Sequence, residues 1–299
     1  MNLQDIKAFV AFADSGSTVG AAKRLRLTQS ATTRRLQRFE ASMGGLTLLD
    51  RSVKPPVLTA DGRQVLERCR LVLNSLQDLK SSAHSAAEPV GELRIGVAQG
   101  LGDVVLDEPL DRLRRRFPGL MLSVVSNWSA ALVEEVRAGT LDCAVGVLID
   151  GARVPLGLRG LPLGEDKIVI LAARSLNLPR SRALQLRELS EHGWILHPHG
   201  CGYRALLERA HHQLGVRMKV VAQVYERDLR LSLIARGVGL GIATPRTIAA
   251  SPLRRRLRVV EVAEFSPLSR LTLFYPESLG PLTAAVDTLS TSIAAKLPA

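Results

Sequence analysis

Residues 15–39 contain no acidic side chain, although six lysines and arginines lie between positions 23 and 38. If residues 29–43 form a helix of about 3.6 residues per turn, their apolar side chains share one face. That face consists of Thr32, Leu36, Phe39 and Met43. The opposite face consists of Ser30, Thr33, Arg34, Gln37 and Arg38. One face is therefore predicted to pack in a core, and the other, polar and basic, to contact something outside the domain.

The residues before this helix predict a helix-turn-helix. The first helix has an apolar face formed by Leu3, Ile6, Phe9, Val10 and Ala13. Ser17 and Thr28 are placed to cap the second and third helices, and residues 26–27 form the turn between them. In such a unit the last helix enters the major groove of DNA and its first residues reach the base edges. The alternative is an ordinary three-helix bundle with a solvated charged face, but an acid-free basic stretch aligned with the turn favours DNA binding.

A hairpin and a long helix are predicted next. Residues 50–57 are typical of a winged hairpin, in which Arg51 and Lys54 can contact phosphates, and Thr59 caps the long helix. Apolar residues then recur at alternating steps of four and three, a coiled-coil pattern. They are Val65, Cys69, Val72, Leu76, Leu79 and Ala83. This set, called the seam below, predicts pairing with the same helix of a second chain; packing on its own domain is the alternative.

The N-terminal residues resemble the LysR-type transcriptional regulators. The resemblance rests on Phe9, Ser17, Ala21, Ala22, Leu25, Gln29, Ala31, Leu36, Glu40, Gly44, Arg51 and residues 58–62. The sequence departs from the family pattern at Thr28 and Thr33, where Ser is usual, and at Ser30, Phe39 and Leu49, where Pro, Leu and Phe are usual. These changes keep the shape or role of the side chain, so they bear on operator preference rather than on the fold.

The resemblance implies an all-α winged helix-turn-helix with a long linker helix, followed by an α/β effector domain of two lobes, like a periplasmic binding protein. The predicted boundaries are 1–60 for the DNA-binding domain, 61–87 for the linker helix and 88–91 for a hinge. Lobe I is expected at 92–163 and 266–299, and lobe II at 164–265. The expected DNA contacts are Ser17, Thr28, Gln29, Ser30, Thr33, Arg34, Arg35, Gln37, Arg38, Arg51 and Lys54.

Composition agrees with a regulator. The formal net charge of +12 favours a polyanionic partner. Three dispersed cysteines, and a start without a signal-peptide pattern, indicate a reducing, cytoplasmic setting and no membrane segment. A glycine-rich run at 237–241 follows a predicted helix instead of a strand, so it does not indicate a dinucleotide site. We expect no enzymatic activity, no cofactor and no metal.

Beyond residue 91, predicted strands and helices alternate, which favours an α/β domain with a mostly parallel sheet. A ligand of such a domain binds in the crevice at the strand ends. The candidate effector-binding residues are Gln99, Gly100, Leu101, Gly102, Trp128, Val147, His197, His199, Cys201 and Thr244. The turn at 99–102 lacks the Ser or Thr that many family members carry there, which argues against a simple carboxylate. Trp128 indicates either a flat or apolar ligand or plain packing across the crevice.

The resemblance further implies a homodimer that assembles to a homotetramer, an interrupted dyad of double-stranded DNA near a promoter, a small-molecule effector and contact with RNA polymerase. An alternative within the family is a redox-responsive regulator that senses oxidants through Cys201, since peroxide-sensing members place a reactive cysteine in this loop. Packing at a tight turn is the simpler explanation of Cys201, because no second cysteine follows it in the lobe to resolve a sulfenic acid.

Overall fold

The computed structural model describes residues 2–82, 88–102, 108–149 and 151–297. They form two compact units, one N-terminal and one that begins at residue 88. Ala83, the last residue of the predicted seam, lies outside the described residues. Within the described ranges, no helix has both the length and the apolar character needed to cross a bilayer.

Three helices build the N-terminal unit: α1 (Leu3–Ser15), α2 (Thr18–Leu25) and α3 (Gln29–Ala41). The caps predicted from sequence are present. Ser17 Oγ accepts a hydrogen bond from Gly20 N at 3.0 Å, and Thr28 Oγ1 accepts one from Ala31 N at 3.2 Å. Each bond satisfies a backbone donor that the first turn of a helix leaves unpaired. Arg26, with φ of 53°, turns the chain between α2 and α3.

The predicted apolar face of α3 is confirmed as part of the core. Thr32, Leu36 and Phe39 are buried on α3, and the rings of Phe39 and Phe9 lie 4.9 Å apart. A two-stranded antiparallel wing follows, formed by β1 (Leu49–Asp50) and β2 (Val57–Leu58). The core therefore fixes α3 with its polar face outward.

Glu40 joins the end of α3 to the wing. Its Oε1 accepts hydrogen bonds from Leu48 N and Leu49 N at 3.0 and 3.1 Å, and its Oε2 pairs with Arg51. The carboxylate satisfies two backbone donors and one guanidinium, which sets the angle between α3 and the wing.

The linker helix, α4 (Ala60–Ser82), begins against the wing. Thr59 Oγ1 caps it by accepting from Gly62 N at 2.9 Å. A Cβ at Gly62 would lie 2.1 Å from the Leu48 carbonyl oxygen, so only glycine allows this close approach. The seam divides in two: Cys69 is buried with Val65 against the N-terminal core, whereas Val72 is 50% exposed. The start of the helix therefore packs on its own domain, whereas its continuation leaves apolar side chains exposed, and pairing with a second chain stays a prediction there.

The second unit contains a five-stranded sheet with the order β4-β3-β5-β12-β6. Its strands are β3 (Gly91–Ala98), β4 (Leu120–Asn127), β5 (Cys143–Ile149), β6 (Leu158–Lys167) and β12 (Leu268–Pro276). The helices α5 (Glu108–Arg116), α6 (Ser129–Arg137) and α10 (Thr283–Ala294) belong to this lobe, which we call lobe I. β3, β4 and β5 end at the edge where the turn at 99–102 and Trp128 begin.

Lobe II contains the strands β7 (Val169–Ala173), β8 (Gly193–Leu196), β9 (Lys219–Gln223), β10 (Gly241–Ala243) and β11 (Leu257–Val260). Its helices are α7 (Gly202–Gln213), α8 (Arg227–Ala235) and α9 (Pro245–Ala250), with a 3-10 turn at Leu186–Leu189. The chain passes between the lobes twice, and the two crossings are bonded to each other, since Ile168 N donates to the Pro267 carbonyl at 2.9 Å.

The expectation of a mostly parallel sheet is correct for the first predicted strands but not for the whole domain, because the sheets are mixed. β3 pairs in parallel with β4 and β5, as β8 does with β9. β12, however, is antiparallel to both β5 and β6, and β7 is antiparallel to β10 and β11. The sequence did not reveal β6, because residues 158–167 contain Gly160, Pro162 and charged residues. An edge strand tolerates these residues, and β6 is an edge strand. The helix α9 and the strand β11 were also not predicted.

We predict that the exposed part of the seam holds two chains together. Val72→Glu places a charge in that contact, which costs several kcal/mol when the charge is buried without a partner (about 3–5 kcal/mol). Light scattering should then show a smaller assembly. Leu71→Glu is the matched control, because Leu71 is also exposed on α4 but lies off the seam. An unchanged mass for Val72→Glu would contradict pairing through the seam.

Candidate DNA-reading surface and effector cavity

The outward face of α3 carries most of the predicted DNA contacts. Gln29, Ser30, Arg34, Gln37 and Arg38 are exposed there. Gln29 Nε2 is 3.4 Å from Thr18 Oγ1 of α2, and Thr33 Oγ1 donates to the Gln29 carbonyl at 2.9 Å. These bonds hold the first turn of α3 in place while the end of the Gln29 side chain faces solvent.

The basic residues of this surface differ in what else they contact. Arg38 pairs with the buried carboxylate of Asp5 at 2.8 Å, and Arg35 donates to Gln4 Oε1 at 3.2 Å. The side chain of Arg34 has no hydrogen bond or ion pair with any described residue. Arg38 and Arg51 therefore also brace the domain, whereas the exposed Arg34 guanidinium is available to contact DNA. The remaining predicted contacts, Ser17, Thr28 and Lys54, lie at the cap positions of α2 and α3 and in the wing loop.

A cavity of about 350 Å³ lies between lobe I and lobe II. Nine of the ten predicted effector residues line it. They are Gln99, Gly100, Leu101, Gly102, Trp128, Val147, His197, Cys201 and Thr244. The tenth, His199, lies outside this lining: it is exposed, and its Nε2 is 3.0 Å from Arg204 Nη2.

Trp128 forms an aromatic wall with residues of the opposite lobe. Its ring centroid is 5.6 Å from that of His197, in an edge-on arrangement, and 5.2 Å from that of Tyr225. Gln99 Nε2 donates to the Tyr225 hydroxyl at 3.0 Å, which adds a polar bond between the lobes. A Cβ at Gly200 would lie 2.7 Å from Trp128 Cδ1, so the glycine makes room for the indole. Tyr225 was not among the predicted residues.

Cys201 is at the N-cap of α7 and is only 7% exposed. Burial raises the pKa of its thiol, although nearby backbone N–H groups, Arg230 and Arg204 act in the opposite direction. Arg204 is engaged elsewhere, because it donates to Glu208 at 2.7 Å and to the His197 carbonyl at 2.9 Å. Cys201 therefore has little thiolate character at neutral pH. Within the described part of the chain, no three His, Cys, Asp or Glu side chains come together as a metal site.

Arg230 was missed by sequence reasoning. It lies on α8 with only 3% of its surface exposed, and it lines the cavity. One turn later on the same face is Ile234, which is fully buried. The spacing of the apolar residues in α8 could therefore have revealed Arg230, since an arginine on the apolar face of a helix is unusual and needs a partner.

Two family models match this chain. The model "Bacterial regulatory helix-turn-helix protein, lysR family" matches residues 3–63, and the model "LysR substrate binding domain" matches residues 86–297. The chain belongs to the LysR family of transcriptional regulators. It is a DNA-binding regulator with an effector-binding domain, as the resemblance of the N-terminal residues implied.

Several known proteins are similar to this LysR regulator. The uncharacterized regulator YusT of Bacillus subtilis is 27% identical over 248 residues, which cover 83% of this chain and 80% of YusT. A probable hydrogen peroxide-inducible genes activator of Mycobacterium xenopi is 32% identical over 169 residues, 56% of this chain and 87% of the relative. The structure of a full-length OxyR variant from Pseudomonas aeruginosa has a TM-score of 0.79 at 18% identity and covers 98% of both chains. That last likeness shows the shared fold.

We predict that His197 makes the effector domain sensitive to acid. Burial, with a contribution from Arg230, lowers the pKa of His197 from 6.5 to about 3. Between these values the unfolded chain binds a proton that the folded chain does not, so stability falls as the pH drops below 6.5. His197→Gln should therefore lose less stability between neutral and mildly acidic pH, with a difference of about 1 kcal/mol.

The measurement is urea unfolding followed by tryptophan fluorescence, since both tryptophans, Trp128 and Trp194, lie in the effector domain. His212→Gln, at an exposed position on α7, is the control. The same pH dependence in wild type and His197→Gln would show that another group is responsible.

Proposed function

We propose that this LysR regulator binds an interrupted dyad of double-stranded DNA near a promoter, and that a small molecule in the cavity between the lobes changes its output. The observation that supports this proposal is the pairing of an outward basic α3 with a lined cavity of about 350 Å³ in one chain. The proposal includes a homodimer that assembles to a homotetramer, action in the cytoplasm and contact with RNA polymerase. The predicted domain boundaries and site residues belong to it as well.

The DNA-binding part of the proposal assigns different tasks to different side chains. Gln29, at the first position of α3, is exposed and is held near α2, so its amide is positioned to read a base edge. Arg34 is assigned to a guanine edge or a phosphate, and Arg35 to a phosphate. Base contacts give sequence preference, whereas phosphate contacts give affinity that depends on salt.

We predict that Gln29→Ala removes the preference for operator over random DNA, at a cost of about 1–3 kcal/mol on the operator alone. Arg35→Ala, the comparison variant, should weaken binding to both DNAs alike and reduce the salt slope by about one. Fluorescence anisotropy at several salt concentrations measures both effects. An equal loss on operator and random DNA for Gln29→Ala would show that this side chain does not read bases.

The effector part of the proposal depends on how the lobes are joined. Two chain crossings connect them, and across the cavity the contacts of Trp128 with His197 and Tyr225 hold them together. A ligand between the lobes that binds one lobe spacing better than another shifts the population toward it. In a dimer of effector domains, that shift changes the spacing of the attached DNA-binding units.

A second candidate function is oxidant sensing through Cys201. The observation that favours it is that Cys201 lines the same cavity, and one relative is a probable peroxide-inducible activator. In that function a peroxide would oxidise the thiol to a sulfenic acid and be reduced to water or an alcohol. The raised pKa of the buried thiol disfavours this reaction, because the thiolate is the reactive form.

Two substitutions separate these functions. We predict that Trp128→Ala abolishes the response of a promoter fusion to the small-molecule inducer, because it removes the aromatic wall, while Trp128→Phe keeps much of the response. Cys201→Ser should respond like wild type to metabolites. Loss of a peroxide response in Cys201→Ser, with Trp128→Ala still responsive to peroxide, would overturn the small-molecule function in favour of oxidant sensing.

A further inference from the structure

Arg230 places a buried guanidinium at the cavity. It lines the cavity, and its Nε and Nη1 atoms are buried with no hydrogen-bond partner in the described part of the chain. Burial lowers the pKa of Arg230 to about 10, so the group is still charged at neutral pH. Buried charges in proteins are normally paired or hydrogen-bonded, since an isolated one is strongly disfavoured. A guanidinium in this state is suited to an anion that enters from the cavity.

The neighbouring charged side chains of the cavity, Glu226 and Arg227, already have other partners. Glu226 lines the same cavity, but its carboxylate caps α8 and accepts hydrogen bonds from the backbone N–H groups of Asp228 and Leu229. Arg227, the second guanidinium of the lining, forms an ion pair with Asp228 at 3.1 Å. His197 is neutral at physiological pH because its pKa is lowered to about 3. Among the described lining residues, Glu226 is therefore the one carboxylate beside Arg230, and it already caps α8.

The rest of the lining limits the shape of the anion. Trp128, Tyr225 and His197 form the aromatic wall, with ring centroids 5.2 and 5.6 Å from the indole. Leu101, Val147 and Ile242 add apolar surface. A flat apolar group fits against such a wall, and about 350 Å³ suits a small organic molecule better than a bare inorganic ion.

We infer that the effector of this regulator is a planar organic carboxylate whose oxygens accept hydrogen bonds from Arg230 while its ring packs against Trp128 and Tyr225. The inference rests on the proposed function of the cavity and adds the chemical class of the ligand and the residue that selects it. The planar guanidinium matches a carboxylate with two parallel hydrogen bonds, which makes Arg230 a specificity residue. The turn at 99–102 has no hydroxyl, which argued against a simple carboxylate, whereas Arg230 supplies a carboxylate-binding group from the other lobe.

The test is isothermal titration calorimetry of the full chain with three probes: benzoate, benzamide and acetate. Benzamide has the ring of benzoate without the charge, and acetate has the charge without the ring. We expect benzoate to bind about tenfold to a hundredfold more tightly than benzamide, because a charge-assisted contact is lost. Acetate should also bind more weakly than benzoate. Arg230→Gln should lower the affinity for benzoate to that for benzamide and leave benzamide binding unchanged.

Two further variants sharpen the result. Arg236→Gln removes a charge from the exposed end of the same helix and should bind all three probes like wild type. Arg230→Lys keeps the charge but loses the planar pair of donors that binds both carboxylate oxygens. Its affinity for benzoate should therefore lie between those of wild type and Arg230→Gln. Without ligand, Arg230→Gln should melt at the wild-type temperature or above it, because it removes an unpaired buried charge.

The inference is overturned if benzamide binds as tightly as benzoate, if Arg230→Gln keeps the preference for benzoate, or if benzoate does not bind at millimolar concentrations. A lower melting temperature of Arg230→Gln would also overturn it, since Arg230 would then be required by the fold. A different result would contradict the proposed function alone. In that case benzoate binds through Arg230, yet operator binding does not respond to any cavity ligand.

Discussion

The contact of Trp128 with the opposite lobe is the interaction on which the effector domain depends. Trp128 follows β4 of lobe I, and it packs against His197, Gly200 and Tyr225 of lobe II. The chain itself joins the lobes at two crossings, which are bonded to each other through Ile168 and Pro267. The crossings join the lobes, and the indole contacts lobe II across the cavity. Under the proposed function, a ligand beside Trp128 would act on this contact between the lobes.

In the N-terminal unit, by contrast, hydrogen bonds and ion pairs fix the helices and the wing relative to one another. Side-chain oxygens cap α1, α2 and α3, and Glu40 ties α3 to the wing through two backbone N–H groups and Arg51. Arg38 is paired with the buried Asp5. A DNA-binding unit braced in this way presents Gln29 and Arg34 in a fixed orientation. Regulation by the effector is then expected to change the spacing between the DNA-binding units of an assembly rather than the shape of one unit.

Local patterns were sufficient to predict the N-terminal unit. The acid-free stretch at 15–39, the apolar face of α3 and the caps Ser17, Thr28 and Thr59 are all short-range features, and the structure confirms that face and those caps. The predicted turns after β3 and β4 also placed Gln99 and Trp128 at the cavity. These predictions succeeded because strand ends and helix starts determine where a side chain lies in an α/β lobe.

Features that depend on long-range pairing were harder to predict. The edge strand β6 contains Pro162 and charged residues, so its sequence resembles a loop. Arg230 was passed over because an arginine on a helix is usually solvated, although its place on the apolar face of α8 with Leu231 and Ile234 could have revealed it. His199 was placed in the cavity because it follows the end of a lobe II strand together with His197, but its Nε2 lies 3.0 Å from Arg204 Nη2 instead. Only β6 owes its role to a distant partner, since it is a strand through its pairing with β12.

Regulation by an effector requires that the cavity and the DNA-reading surface be coupled within one assembly. Thermodynamic linkage makes this coupling measurable from either side, because a ligand that changes operator affinity must have its own affinity changed by the operator by the same factor. The most direct measurement is a calorimetric titration of the full-length protein with a cavity ligand, once with saturating operator DNA and once with random DNA of equal length. If the two sites are coupled, the ligand binds with different affinities in the two titrations. Identical affinities, with operator bound throughout, would contradict this coupling.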